Sequence, residues 1–441
     1  MKIYPATKDA AGKTVYTCVF QNSYFNENFT EHVVEIPANT PFSITEGGKQ
    51  TYEFDGISAS KYYYIEMKLS APTSQGYVGI THWADSENYF ADTVSYVQSG
   101  NYNHAFSSTI GGVYRSSIEP AKYFEGDSLT GLTGANFGST GMTVAALRMG
   151  NEIHTFINGK RVATYLIEEN LAVRNTVPAL YFNDNNGYYD GSIQDIVIVT
   201  GVSAASAKLS ELTTGSAFGY ANTPNWNKGV HTDATFNTRG FTYAYDSGVS
   251  YNDRRFVTGV NDRVFLAGNY YYQYEISGDM AFANGTNVYG LFYNWINTKS
   301  LTQSGYYKHE ANFCLKLNGD KLQRLTYTKG YKVNGDGLNT AGTGGDWVSN
   351  TTVYGGRNDV ESDTNWQEAM KGGLIVRIER TVKNSTTDVY VISVTAKNNP
   401  ELKLTSKPIE VSDATFGGYN WILYGTQSVD CTISIVTYGR K

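Results

Sequence analysis

The sequence predicts an all-β protein made of two β-sandwiches in tandem, and three observations carry that reading. Helical periodicity is nearly absent: only residues 203–212, Ser-Ala-Ala-Ser-Ala-Lys-Leu-Ser-Glu-Leu, show it, for one or two turns. Elsewhere, short runs of Tyr, Val, Ile, Phe and Thr are cut by Gly, Asn, Asp and Ser clusters, as strands at sandwich spacing would be. The same runs then recur in the same order in both halves of the chain.

In the first half, strands are expected at 62–69, 76–83, 142–148, 153–157 and 161–166; in the second, at 271–276, 288–295, 374–379 and 388–396. The dipeptide Asn158-Gly159 between two apolar runs predicts a type I′ hairpin, because both central residues of that turn need positive φ. Five stretches can be laid over each other. Lys61-Tyr62-Tyr63-Tyr64-Ile65-Glu66 matches Asn269-Tyr270-Tyr271-Tyr272-Gln273-Tyr274-Glu275, and a strand ending at Trp83 or Trp295 follows. Next come Tyr102-Asn103-His104 and Tyr307-Lys308-His309, then the hairpins 144–167 and 374–404. The last pair is 179–182 through 193–199 against 421–424 through 431–436. The expected division is a first sandwich over 1–203, a short linker over 204–216 and a second sandwich over 217–441. In each tyrosine triplet the middle ring should face away from its two neighbours.

Composition narrows the function. The 41 acidic and 35 basic residues of the 441 leave a net charge of -6, so the basic stripe that a phosphate backbone requires is missing and nucleic acid is not an expected partner. Charged residues are 17% and aromatics 14%, with 36 Tyr, 20 Phe and 6 Trp, the opposite of a disordered chain. No run approaches the roughly 18–20 apolar residues of a membrane helix, so membrane insertion is not expected. Met1-Lys2-Ile3-Tyr4-Pro5 has no apolar leader core, so either the protein stays inside or its leader and anchor lie outside this chain. Cys18, Cys314 and Cys431 are odd in number and far apart, each in an apolar run, and read as buried free thiols.

Halves of about 200 residues exceed an immunoglobulin-like unit of roughly 100 and suit a larger two-sheet jelly roll. Residues 145–150, then Glu152-Ile153-His154-Thr155-Phe156-Ile157-Asn158-Gly159-Lys160-Arg161-Val162-Ala163, and the closing run Gly191-Ser192-Ile193-Gln194-Asp195-Ile196-Val197-Ile198 resemble the concanavalin A-like, laminin-G-type jelly roll. The pairing of two such halves is similar to the carbohydrate-binding modules of gut bacterial starch-adherence surface proteins. The resemblance implies a fold and a class of ligand, and many laminin-G-type and legume-lectin-type jelly rolls carry calcium.

Catalysis has little footing in the residues. A retaining glycosidase needs two carboxyl groups about 5–5.5 Å apart, and the nearest run, Asp359-Val360-Glu361-Ser362-Asp363, sits among Gly and Asn and reads as a polar loop. The six histidines are scattered, with no metal-ligand spacing, and the Gly-rich run 342–345 lacks the Lys-Ser/Thr of a phosphate loop. Carbohydrate binding needs aromatic faces for the sugar's C–H side and polar groups for its hydroxyls. The first half offers Trp83, Tyr102, His104 and Arg115, with His82, Asp85 and Tyr89 nearby. The second offers Trp295, Tyr307, His309, Trp347, Arg357 and Trp366, with Asn294. The competing reading of Trp83 and Trp295 is that both are core residues. By the resemblance, a calcium ion would take oxygens from Asp184, Asp190 and Asp336 in Asn/Asp-rich loops, although one such loop falls short of the six to eight oxygens required.

The expectation is a monomeric, non-catalytic protein of the cell surface or the extracellular space. It would hold a polysaccharide, a glucan such as starch first, through two modules whose linkage adds avidity. An adhesin or phage receptor-binding protein recognising a protein surface is the first alternative, and a glycoside hydrolase the second.

Overall fold

In the computed structural model of the chain, the described residues are 1–18, 30–44, 50–71, 76–84, 89–97, 101–110, 113–118, 141–167, 176–183, 189–213, 218–220, 234–237, 240–244, 255–260, 264–282, 289–299, 307–318, 321–329, 332–333, 351–354, 368, 370–384, 387–412, 419–427 and 429–441. The fold is all-β, and the one long helix among these residues is Val202–Leu212. Two compact units divide the chain. Unit 1 comprises Met1–Ala121, Ser128–Val162 and Ala172–Thr213; unit 2 comprises Lys122–Asp127, Ala163–Leu171 and Thr214–Lys441.

Unit 1 is a sandwich of two antiparallel sheets. One runs from the return strand that begins at Lys160 through Glu152–Ile157, Met142–Met149, Tyr62–Leu69 and Ser192–Thr200 to Phe42–Ser43. The other orders Val113–Ile118, Asn101–Ile110, Tyr89–Val97, Gly76–Ala84, Ala179–Asn183 and Gln50–Glu53. Strand alternation sends Ile65, Met67, Leu69, Val144, Ile153 and Ile157 inward from the first, and Val78, Ile80, Leu180 and Phe182 inward from the second. The Tyr63 hydroxyl meets His82 Nδ1 at 2.7 Å from one sheet to the other.

Unit 2 has the same strand order. Its first sheet runs Asn399–Thr405, Thr387–Ala396, Leu374–Asn384, Tyr270–Ile276, Val429–Arg440 and Gly240–Tyr243. Its second runs Thr351–Tyr354, Lys321–Lys329, Tyr307–Asn318, Tyr289–Lys299, Tyr419–Gln427 and Arg255–Val260. Phe313 and Tyr390 pack from one sheet to the other at 5.4 Å between ring centroids. The observed strands lie within a residue of the expected ends in most cases, but 289–299 and 374–384 continue well beyond them.

Register corrects how the halves align. Buried Tyr63 lies opposite buried Arg148, and buried Tyr270 lies opposite buried Arg380. Tyr63 therefore corresponds to Tyr270, one residue off the triplet-on-triplet match. The alternation itself holds: Tyr63 is the inward ring of its triplet's centre, whereas Tyr270 and Tyr272 face inward around Tyr271. With that shift, a bulge falls at the same place in both units. Gln194 and Val197 bracket it against the Tyr62–Leu69 strand, as Ser434 and Thr437 do against Tyr270–Ile276.

Local chemistry accounts for other features. Asn158 and Gly159 have φ of 49° and 74°, the expected type I′ turn, and the Asn158 side chain accepts a 2.9 Å bond from the Thr143 amide. Ala205, Leu209 and Leu212 make one face of the helix at i, i+4 and i+7, and Leu209 and Leu212 pack on Tyr64, Ala145, Leu147 and Phe156 of unit 1. The described part of the stretch expected as a linker is thus largely helix.

A third sheet, Lys2–Tyr4, Gly12–Cys18 and Thr30–Ile36, belongs to unit 1. Its base is tied to the bulge: Asp195, at φ 53°, exchanges two 3.0 Å bonds with the Asn39 side chain, and the Lys8 amide donates to Ile196 at 2.7 Å. Cys431 is a buried free thiol, pushed up in pKa by burial; the side chains of Cys18 and Cys314 are not among those described.

Candidate ligand-binding faces and the polar network behind them

Unit 1 brings His82 and Trp83 inside. Trp83 is 3% exposed, Phe90 stacks on it at 4.9 Å, and the Arg148 guanidinium lies 5.9 Å from its ring centroid. A ring so enclosed offers no face to a sugar, so it takes the core role that competed with the binding one. His82 is fully buried and stacked beside Tyr63. Nδ1 shares its hydrogen bond with the Tyr63 hydroxyl, and Nε2 faces Asp92 Oδ2 at 4.0 Å. The Thr155 hydroxyl donates to the same Asp92 oxygen. Arg148 donates to the Thr176 hydroxyl at 2.9 Å and to the Gly150 carbonyl at 3.2 Å.

These groups come from five strands, and the Tyr63–His82 and Thr155–Asp92 hydrogen bonds each run from one sheet to the other. Burial lowers the His82 pKa against the pull of Asp92, with Arg148 adding to the lowering, and burial raises the Tyr63 hydroxyl. The network joins the two sheets and fixes the Gly76–Ala84 and Tyr89–Val97 strands. Its chemistry is that of a structural clasp.

Tyr102, His104 and Arg115 lie in strands whose backbone is described. Tyr102 pairs with Tyr96, His104 with Val94 and Arg115 with Ser108. The rows alternating with inward Val78, Ile80, Leu180 and Phe182 contain Gly79, Thr81, Ala91 and Tyr181, and these too are closed to solvent. The middle of this sheet's outer side in unit 1 is therefore covered.

Unit 2 differs in its rows. Phe292, Phe313 and Leu315 are buried, and Phe292 pairs with Leu315 while Asn294 pairs with Phe313. The alternating rows are Tyr293 with Cys314 and Gly425, Trp295 with Asn312 and Leu423, and Asn297 with His309 and Trp421. Trp295 and His309 thus share this set, together with Trp421, Tyr293, Asn297 and Asn312, which the sequence reading did not assign to a site. The signal was available: a period-two count back from the apolar run places Tyr293 and Trp295 together. Tyr307 pairs with Val333 at the end of its strand.

Trp347, Arg357, Trp366 and the run 359–363 lie outside the described residues, as do Asp184 and Asp336. Asp190 is described and exposed. Among the described residues no three His, Cys, Asp or Glu side chains form a group that could hold a metal ion. Nor is any helix among them long and apolar enough to cross a membrane.

No protein-family model matches the chain, and no curated protein does. Likenesses exist among solved structures. A tetrameric galectin from the ball sponge Cinachyrella is 14% identical, covering 34% of this chain and 99% of its own, at a TM-score of 0.25. Domains LG4-5 of the mouse laminin alpha1 chain are 9% identical over 89% of this chain and 88% of theirs, at 0.24. An engineered GH43 glycoside hydrolase is 10% identical over 82% of this chain and 65% of its own, at 0.29. At these scores a likeness has no weight for ligand or activity, so the functional reading rests on this chain's own residues.

Proposed function

We propose that the protein is a non-catalytic carbohydrate-binding protein, acting at the cell surface or outside the cell, whose main site is on the second sheet of unit 2. The supporting observation is the register set in which Trp295, Tyr293 and Trp421 alternate with the buried Phe292 and Phe313 rows, interspersed with Asn297, Asn312 and His309. Aromatic faces beside amide and imidazole groups are the chemistry a sugar needs: rings for the C–H face and polar groups for the hydroxyls. A glucan, starch first, is the ligand we expect. The two units are read as tandem copies of one lectin-like sandwich, since strand order, bulge and buried Tyr–Arg pair coincide. Avidity on a polymer follows if unit 1 contributes a second site through Tyr102, His104 and Arg115.

Affinity electrophoresis of the whole chain in gels containing starch, pullulan, dextran, xylan or β-glucan tests this, with product release assayed in parallel and calcium or a chelator in matched gels. We expect retardation by a glucan without product release, and Trp295→Ala should reduce it by about tenfold, a typical loss for one stacking ring. Product release would establish a hydrolase instead. Absence of retardation by every polymer would leave a protein receptor as the ligand class to pursue.

A further inference from the structure

The N-terminal sheet of unit 1 ends in an edge that the carbohydrate reading leaves unused. Among the described residues, Thr30–Ile36 pairs with Gly12–Cys18 alone and is the terminal strand of its sheet. Glu31, His32, Val33, Val34 and Glu35 are all exposed, Val33 to 51% and Val34 to 44%. Adjacent residues on a strand point to opposite faces, so this edge is open on both. Edge strands of this length are usually shortened, bulged or covered, because a row of free N–H and C=O groups invites another strand.

Register defines what would fit. Glu31, Val33 and Glu35 share one face with Thr17, Val15 and Lys13. Lys13 is committed to Asp55, its Nζ 2.8 Å from the carboxylate, and neither Glu31 nor Glu35 forms an ion pair among the described residues. The other face carries His32 and Val34 beside Tyr16, whose ring centroid is 6.3 Å from that of His32. We propose that the Thr30–Ile36 edge accepts an extended basic segment of a protein partner by strand addition, with Lys or Arg opposite Glu31 and Glu35 and apolar or aromatic residues opposite Val33, Val34 and His32. A second copy of this chain fits less well. Full-length antiparallel pairing about Val33 would set Glu31 of each copy against Glu35 of the other, and like charges directly opposite destabilise a ladder.

The probe is a capped peptide, Thr-Lys-Val-Val-Tyr-Lys-Thr, with its Lys-to-Glu counterpart as control, titrated into isotopically labelled full-length protein. Chemical shifts in 12–18 and 30–36 should move with the basic peptide, and the acidic one should bind about tenfold more weakly. The double variant Glu31→Lys, Glu35→Lys lies on an exposed strand, should retain the wild-type melting curve and should invert the preference. Shifts absent from both strands, equal binding of the two peptides, or sedimentation showing a second copy on this edge would each overturn the proposal. Were the variant to fail to fold, the wild-type comparison of the two peptides decides alone.

Discussion

Arg148 and Arg380 occupy the same place in their units, opposite a buried tyrosine, yet their surroundings differ. In unit 2, Arg380 is held by Asp388, with Nε and Nη2 at 2.8 and 2.6 Å from one carboxylate oxygen and both side chains buried. Removing one partner of such a pair leaves a charge in low dielectric, so Asp388→Ala should cost unit 2 about 3–5 kcal/mol in denaturant melts. In unit 1, Arg148 sits among hydroxyls, a carbonyl and the His82–Asp92 clasp. Trp83, as a core ring, should lose about 3–5 kcal/mol on replacement by Ala, seen as a lower denaturation midpoint. His82 gives a pH signature whose sign can be worked out. Its folded pKa lies below the ordinary value of 6.5, so near and below that pH the unfolded chain binds the extra proton. The stabilisation is complete above about pH 6.5 and is lost as pH falls through the folded pKa. His82→Gln should flatten the pH dependence of unit 1 stability below 6.5 in melts compared between acidic and neutral buffers. An unchanged slope would show that His82 is not the titrating group.

Secondary-structure elements that correspond in order have diverged in what covers them. On the outer side of the first sheet of unit 1, Tyr64, Ala145, Leu147 and Phe156 are apolar, and the helix Val202–Leu212 lies across them. The corresponding positions in unit 2 are Tyr271, Arg377, Glu379 and Ser393. There the Arg377 guanidinium stacks 3.8 Å from the Tyr271 centroid, and Glu379 receives Arg377 at 2.8 Å and Lys441 at 3.0 Å. One sheet face needs an apolar lid and the other satisfies itself with ion pairs facing water. Leu209→Ala should therefore destabilise unit 1 by about 1–2 kcal/mol, since the side chain is only partly buried, with the change read in chemical denaturation. The bulge shows a similar divergence: in unit 1 its positive-φ Asp195 anchors the N-terminal sheet through Asn39, whereas the corresponding residue in unit 2 is Ile435.

At the scale of the molecule, the two units carry the same order of strands but different candidate faces, so the Trp295→Ala and Trp83→Ala variants should separate. The first should weaken glucan retardation while leaving stability near wild type; the second should lower stability. Much of the architecture was legible in the sequence. Period-two alternation, the Asn158-Gly159 turn and the recurrence of strands in order are local signals, and local signals survive without knowledge of neighbours. The helix was visible too, though only as a turn or two, because its capping is weak: Gly201 supplies no side-chain bond to the first amides. The candidate site was less legible. Composition could place Trp83 and Trp295 on matching strands, but not say that the Trp83 ring faced inward. That depends on the strand partner Phe90 and on packing from the opposite sheet, where Arg148 lies beside the ring. A slip of one residue reverses every face of a strand, as the tyrosine triplets demonstrate, and bulges produce such slips without altering composition. Alternation and recurrence along the chain were enough for the class of fold and for nine strands, but not for the N-terminal sheet. Long-range pairing made Trp83 a core ring, because a face is set by register between strands far apart in the chain.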